Sequence, residues 1–157
     1  MREIKFRGKR LDNGEWVYGD LLRRSGATYI VYEDKPKDHN IRNIVIDSDN
    51  NPSYPPVTDW TIYELVDPET VGQYIGRKDK HNKEIYGGDI VDVVMHEDVC
   101  NPSTKYLIGY HNTGFYLKGK DIEGDIGFIE ICGGDCCIKS IEVISNIHEN
   151  PTLWEEK

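Results

Sequence analysis

Apolar residues alternate with polar ones in short runs, cut by Gly, Asn, Asp and Pro about every ten residues, and this leaves the chain little choice but β-structure. At the start, Ile4 and Phe6 alternate with Lys5, Arg7 and Lys9, the period-two pattern of a half-buried strand. Asp12-Asn13-Gly14 then reads as a tight turn, because Asn and Gly adopt positive φ at low steric cost, as two-residue hairpins require. Glu15 to about Leu22 is the return strand, so residues 3–22 are expected as a β-hairpin. Ser25-Gly26 is a second turn, and Ala27 to Tyr32 is a β-branched and aromatic strand. Glu33 to Asn40 reads as a polar loop, Ile41 to Ile46 as a short strand and Asp47 to Pro56 as a Pro-rich loop. Val57 to Val66 reads as extended, with Trp60, Ile62 and Tyr63 buried.

Asp67-Pro68-Glu69-Thr70 has the form of a helix start with Pro at its first position. Gly72 and Gly76 limit that helix to one turn, and Arg77 to Glu84 reads as a charged loop. Beyond it, Ile85-Tyr86, Ile90 to Met95, Lys105 to His111, Gly114 to Lys118, Gly127 to Cys132 and Ile138 to Ile147 are strand candidates. Asn112-Thr113-Gly114 and Gly133-Gly134-Asp135 supply turns between them. The fold class expected is therefore mainly β. An N-terminal β-hairpin or sheet region over 1–66 packs with a small C-terminal β-barrel-like or curled-sheet region over 67–149. One or two short helical turns accompany them, and 150–157 form a tail that makes a short helical turn or stays loose. A faint internal echo links Trp16 to Leu21 with Glu84 to Ile90, read as two similar hairpins rather than a duplicated element.

Three Trp, ten Tyr and three Phe supply enough buried area for a real core, which a disordered chain would lack. The net charge of −9 opposes broad nucleic-acid binding, which depends on neutralising phosphates. The charge is uneven, however. Arg2, Lys5, Arg7, Lys9 and Arg10 crowd the N-terminus against Glu3 alone, and Arg23 and Arg24 follow. A solvated strand face is the plain reading, and a patch for phosphate or an acidic partner is the alternative. No apolar stretch is long enough to span a membrane, and no apolar secretory core follows the basic N-terminus. The Asn-x-Ser/Thr triplets at Asn51, Asn101 and Asn150 all have Pro in the middle, which excludes glycosylation. The expected compartment is the cytoplasm.

The motifs that would carry chemistry fail on spacing. Cys100, Cys132, Cys136 and Cys137 lack the paired Cys-x2-Cys of structural zinc sites, even with His96 or His111 added. Free thiols are expected. Asp47-Ser48-Asp49-Asn50-Asn51 begins like a calcium loop but has Pro52 for the required Gly and Thr58 for the bidentate Glu. Gly72-x3-Gly76 is no phosphate loop, and Gly87-Gly88-Asp89 and Gly133-Gly134-Asp135 read as hairpin chemistry rather than anion cradles. No Gly-x-Ser-x-Gly elbow is present. Trp16, Tyr18, Tyr29 and Tyr32 near basic strands admit a base-stacking platform, although ordinary core aromatics are the simpler account. No cofactor, metal site or catalytic residue is expected.

Three segments nevertheless carry a recognisable pattern. The first runs from Ile4-Lys5-Phe6-Arg7-Gly8-Lys9 through Asn13-Gly14-Glu15-Trp16-Val17-Tyr18-Gly19. The second runs from Val66-Asp67-Pro68-Glu69-Thr70-Val71-Gly72-Gln73-Tyr74-Ile75-Gly76 through Asp79, Lys83-Glu84-Ile85-Tyr86 and Gly88-Asp89-Ile90-Val91. The third holds Ile144, Asn146-Ile147-His148-Glu149-Asn150-Pro151 and Leu153. In order and spacing they resemble the YopX-like family of phage and prophage proteins. His81-Asn82-Lys83 stands where the family has Asn-Gly-Lys, Gly87 where an acidic residue is usual, and Ser145 where Gly is usual.

The resemblance implies a mostly β, phage- or prophage-encoded protein with no catalytic residues to carry over. In the structural reading, Asn13-Gly14 and Gly88 serve turns, Pro68 starts a helical turn, and Trp16, Tyr74 and Ile85 fill the core. In the alternative, Glu84, Tyr86 and Asp89 form a recognition surface. The function expected is that of an accessory protein acting by protein–protein contact or self-association in the host bacterial cell, with a phage or host protein as the other partner class. Nucleic-acid binding through the basic hairpin of Lys5, Arg7, Lys9 and Arg10 is the second reading, and a hydrolase with a cryptic site is the third.

Overall fold

The structure is a computed structural model that describes residues 3–33, 45–46, 52–53, 61–95, 105–111, 114–119, 125–127 and 138–155. The strands are, in chain order, β1 (Phe6–Lys9), β2 (Trp16–Arg24), β3 (Ala27–Glu33), β4 (Val45–Ile46), β5 (Pro52–Ser53), β6 (Thr61–Leu65) and β7 (Gly72–Lys78). They continue with β8 (Glu84–Tyr86), β9 (Asp89–Met95), β10 (Lys105–His111), β11 (Gly114–Gly119), β12 (Asp125–Gly127) and β13 (Ile138–Asn146). A 3₁₀ turn spans Pro68–Thr70, and a short helix, α1, spans Pro151–Glu155. The chain is mainly β, as its alternation demands. It forms a six-stranded sheet in the order β6-β3-β2-β1-β7-β8 and a five-stranded sheet in the order β12-β11-β10-β9-β13, with β4 and β5 as a separate ribbon. Every described pairing is antiparallel.

The first hairpin forms where the sequence places it, but its loop is wider than a two-residue turn. The Arg10 amide donates to Glu15 O at 2.9 Å and the Gly14 amide to Arg10 O at 3.0 Å, so Leu11 to Gly14 make up the loop. Gly14 takes φ +71 there. Ser25 and Gly26 both adopt positive φ, 52° and 80°, the primed geometry that matches strand twist in a tight hairpin.

The six-stranded sheet curls. Arg10 and Val66 form an isolated antiparallel bridge. The Leu11 amide donates to Leu65 O at 3.1 Å and the Asp67 amide to Lys9 O at 2.9 Å, so the end of β6 returns to the end of β1. Val66, 1% exposed, lies on Gly8, where a Cβ would approach its side chain to 3.0 Å. This contact is a bridge and not a ladder, and no closed barrel forms among the described residues. The Asp67 carboxylate caps the 3₁₀ turn by accepting from the Glu69 amide at 3.0 Å. Thr70 Oγ1 accepts from the Lys9 amide at 2.9 Å, which fastens the turn to β1.

β7 is the strand that the sequence conceals. Gly72 and Gly76 read as helix breakers, and the 3₁₀ turn does end ahead of both, with Val71 already extended. The chain then extends through both of them as a strand. Gly72 is required by a close crossing, since a Cβ there would collide with Gly87 O. Gly76 takes φ +85 within the register shift between Tyr74 and Lys78, the position and conformation of a glycine bulge. β7 and β8 therefore extend the first sheet beyond residue 66, and the chain changes sheets between Tyr86 and Asp89. That change also separates the echoing segments, because Trp16 to Leu21 is unbroken strand whereas Glu84 to Ile90 bends at Gly87 and Gly88.

The main core joins the two sheets. Ile75 of β7 and Ile85 of β8 pack with Val91, Val93, Tyr106, Ile108, Phe115 and Leu117 of the second sheet. Period two misassigns some individual residues. Ile4 is 62% exposed and Tyr63 55% exposed, whereas Arg7 is only 6% exposed. Trp60, the four cysteines, His39, His96, the stretch resembling a calcium loop and the Gly133-Gly134-Asp135 turn lie outside the described residues. The tail does form a helical turn, α1. Replacing Gly72 with Ala is expected to destabilise the fold by about 3 kcal/mol, as forced overpacking against backbone does. Urea denaturation checks this, and an unchanged midpoint would show that the crossing of β7 and Gly87 is looser than described.

Candidate functional site

The best-organised polar cluster lies at the joint where β8 gives way to β9. Only Gly87 and Gly88 separate the two strands, and Gly88 takes φ +85 to make the turn. Backbone bonds fix the joint from three sides. Gly87 N donates to Gln73 O at 2.9 Å, Gly88 N to Ile108 O at 2.8 Å, and Ile147 N to Gly88 O at 2.9 Å. Asp89 follows immediately and is fully buried. Its Oδ1 accepts from Arg7 Nη2 at 2.6 Å and from Asn146 Nδ2 at 3.3 Å, and its Oδ2 accepts from the Tyr86 amide at 2.8 Å.

Arg7 reaches Asp89 from β1. Its guanidinium lies 4.6 Å from the Trp16 ring centroid and 4.9 Å from that of Tyr86, where cation–π attraction offsets part of the lost hydration. Nη2 also points to Gly87 O at 3.4 Å, while the buried Nε has no protein partner. A buried ion pair is not a large net source of stability, but either charge left alone there would be very unfavourable. The pair therefore specifies where β1 must lie against the β8–β9 joint.

Two further pairs flank it along β1. On one side, Lys5 Nζ donates to Glu84 Oε2 at 2.7 Å, and the Tyr86 hydroxyl donates to the same oxygen at 2.6 Å. These two donors hold the Glu84 carboxyl below its ordinary range, Lys5 first. Burial, and then the bond to Glu84, push the Tyr86 hydroxyl far above its ordinary value, so it stays protonated and donating. Tyr86 is also ringed by Tyr18 and Tyr74, with centroids at 5.7 and 5.5 Å. On the other side, Lys9 Nζ lies 3.7 Å from Glu149 Oε1 and 5.3 Å from the Trp16 centroid. Trp16 Nε1 donates to Glu149 Oε1 at 2.7 Å. The end of β13 and the turn after it thus carry Asn146, His148 and Glu149 to the joint. His148 meets the edge of Trp16 at 6.4 Å.

A second fastening lies at the tip of the β7–β8 hairpin. Asp79 Oδ1 accepts from the His81 and Lys83 amides at 2.8 and 2.9 Å, and Oδ2 accepts from the Val143 amide at 3.1 Å. Burial pushes the Asp79 carboxyl up, but the amides outweigh it and hold it below the ordinary value. Lys80 N donates to Ile141 O at 2.9 Å. The tip therefore satisfies backbone groups of β13 that would otherwise face solvent. Asn82 adopts φ +67 in this turn, which Asn tolerates better than most residues.

The candidate residues from the sequence are brought together as partners of one another. Lys5 meets Glu84, Arg7 meets Asp89, and Lys9 meets Glu149. Arg10 lies farther along, paired with Asp12 and with Glu64 at 3.2 Å. Tyr86 and Asp89 are buried, and Glu84 keeps 27% of its side chain exposed. The sequence placed Asp79 and Asn146 in the family pattern without giving either a role, and nothing in it pointed to the Trp16–Glu149 bond. Among the described residues, no group of three or more His, Cys, Asp and Glu is arranged to hold a metal ion. No helix among them is long and apolar enough to cross a membrane.

The residues meeting here come from all three segments of the sequence pattern, and a family model described as YopX protein matches residues 5–155. The chain belongs to the YopX family. Its fold is also similar to the crystal structure of protein EF1440 from Enterococcus faecalis, with a TM-score of 0.50 and 20% identity over 98% of this chain and 99% of that one. No curated protein matches the sequence. In this YopX chain the family pattern maps onto the joint itself. Arg7 and Trp16 come from the first segment, Glu84, Tyr86 and Asp89 from the second, and Asn146, His148 and Glu149 from the third.

Removing one member of the buried pair, by Arg7→Met or Asp89→Asn, is expected to cost about 3–5 kcal/mol, and Arg7→Met with Asp89→Leu to regain most of that. Chemical denaturation of the three variants checks this, and a double variant no better than the sum of the singles would refute it. Asp79 has a lowered folded-state value, so its contribution is present above its unfolded value near 3.8 and is lost as pH falls through the folded one. Asp79→Asn should therefore flatten the acid limb of the stability–pH curve.

Proposed function

We propose that this YopX chain is a phage-type accessory protein without catalytic activity of its own, working in the host cytoplasm by protein–protein contact, first with a second copy of itself. The observation that carries this reading is the apolar strip along the described edge strand β6. Leu11, Tyr63 and Leu65 are 59%, 55% and 42% exposed, and the Leu11–Leu65 backbone bond places them side by side. The Leu65 carbonyl is already taken by Leu11, so the strip offers a partner its exposed apolar side chains rather than a free backbone edge at that end. A two-fold pairing of β6 with its copy would be self-complementary, as closed dimers require.

The pairing of Lys5, Arg7 and Lys9 with Glu84, Asp89 and Glu149 supports the same reading. Cations already matched by carboxylates have less to gain from phosphate, which weighs against the basic hairpin as a nucleic-acid platform. Titration of labelled single- and double-stranded DNA at two salt concentrations separates the two. Salt-sensitive binding lost on reversing the charge of Lys5 and Lys9 would favour nucleic acid.

Light scattering coupled to gel filtration is expected to give twice the monomer mass, falling to 18.1 kDa when Tyr63 and Leu65 are both changed to Lys. A wild-type chain that stays at the monomer mass at high concentration would remove self-association.

A further inference from the structure

We propose that two copies of this chain dock by the outer face of the first sheet, turned end to end about a two-fold axis, with Asp20 of each copy against Arg24 of the other. Such docking presupposes the self-association proposed above and gives it a surface, an orientation and a charge code. β3 supplies the first reason. Its run Ala27-Thr28-Tyr29-Ile30-Val31-Tyr32 has almost no polar interruption, which is how strands covered on both faces read. Burial is nevertheless complete on one face only. Thr28 and Ile30 are 7% and 0% exposed, whereas Tyr29 and Val31, pointing the other way, are only partly buried.

The register defines the uncovered face. Leu22, Tyr29 and Leu65 are direct cross-strand neighbours on β2, β3 and β6, and so are Asp20, Val31 and Tyr63. Alternate residues of a strand share a face, so these rows lie together, with Arg24 and Ala27 as the next row. The same face continues into β1 through the Arg7–Tyr18 and Lys9–Trp16 pairs, where Glu149 reaches over it to Trp16. That cover stops short of Tyr63 and Leu65, which remain 55% and 42% exposed. Apolar side chains gathered on one sheet face are what a second sheet packs upon, at a separation of roughly 10 Å.

Charge decides which occupant fits. On this face Asp20 and Arg24 flank Leu22 along β2, about 13 Å apart at ordinary strand spacing. Both are exposed, and among the described residues neither forms an ion pair. Farther along the face, Lys5 and Arg7 are already matched by Glu84 and Asp89. A face with one unmatched charge of each sign beside its apolar rows is its own complement once reversed. A two-fold axis along the Leu22–Tyr29–Leu65 row sets that row on its copy and brings Asp20 over Arg24 twice, as an isologous interface requires. The same operation sets Val31 over the partner's Ala27, large against small.

Light scattering coupled to gel filtration on charge-reversed variants tests this. Asp20→Lys and Arg24→Glu are each expected to raise the dimer dissociation constant about tenfold, because symmetry doubles every like-charge contact. At a concentration just sufficient to hold the natural chain as a dimer, each variant alone should run near the 18.1 kDa monomer. An equimolar mixture of the two should return to twice that mass, because the reversed charges match one another and the unreversed ones do too. The double variant should dimerise on its own for the same reason. Circular dichroism of all three should match that of the natural chain, since both positions are exposed. Single variants that dimerise as the natural chain does, or a mixture and a double variant that stay monomeric, would overturn the face-to-face arrangement and leave self-association standing. A natural chain that is monomeric throughout would remove both.

Discussion

A guanidinium and a carboxylate 2.6 Å apart, both almost fully withdrawn from solvent, decide how the rest of this molecule is assembled. Arg7 and Asp89 are 82 residues apart, more than half the length of the chain, and one lies in each sheet. Neither tolerates burial alone. Their meeting thus fixes β1 against the β8–β9 joint, and with it the order of the first sheet. The guanidinium lies over the rings of Trp16 and Tyr86, and the Tyr86 amide and Asn146 complete the carboxylate's partners. Apolar burial supplies most of the driving force for folding. The ion pair supplies the constraint that apolar burial lacks, namely which strand must lie where.

Much of the architecture can be read from the sequence because strands announce themselves through alternation and turns through Gly, Asn and Asp. The first hairpin, β3, β9, β10, β11 and β13 all fall where those signals place them. β7 does not, because its two glycines carry the signature of a break while serving a close crossing and a bulge. Side-chain orientation is less legible still. Period two assigns Arg7 to the solvent face with Lys5 and Lys9, yet Arg7 is buried and Ile4 is exposed. A strand at the junction of two sheets has no purely solvent face, and alternation alone cannot reveal that.

The candidate site was legible as a set of residues but not as an arrangement. The basic run of β1 and the acidic positions Glu84 and Asp89 stand out separately in the sequence, as two unrelated patches. In the fold they are the two halves of one zipper of charges, with Glu149 as its last tooth. The sequence separations of 79 and 82 residues explain why neither half points to the other. Composition records only the net excess of acid, and no local rule pairs charges across such distances.

The shortness of the Gly87–Gly88 connection has a mechanical consequence. With two residues between β8 and β9, and each of their amides bonded to a different strand, the chain holds no slack at the point where it passes from one sheet to the other. Neither sheet can swing away from its neighbour without tearing Ile75 and Ile85 out of the shared core. The joint behaves as a weld rather than a hinge, so the molecule should respond to force or denaturant as one cooperative body, with lengthening of the chain tolerated at exposed loop tips and not here.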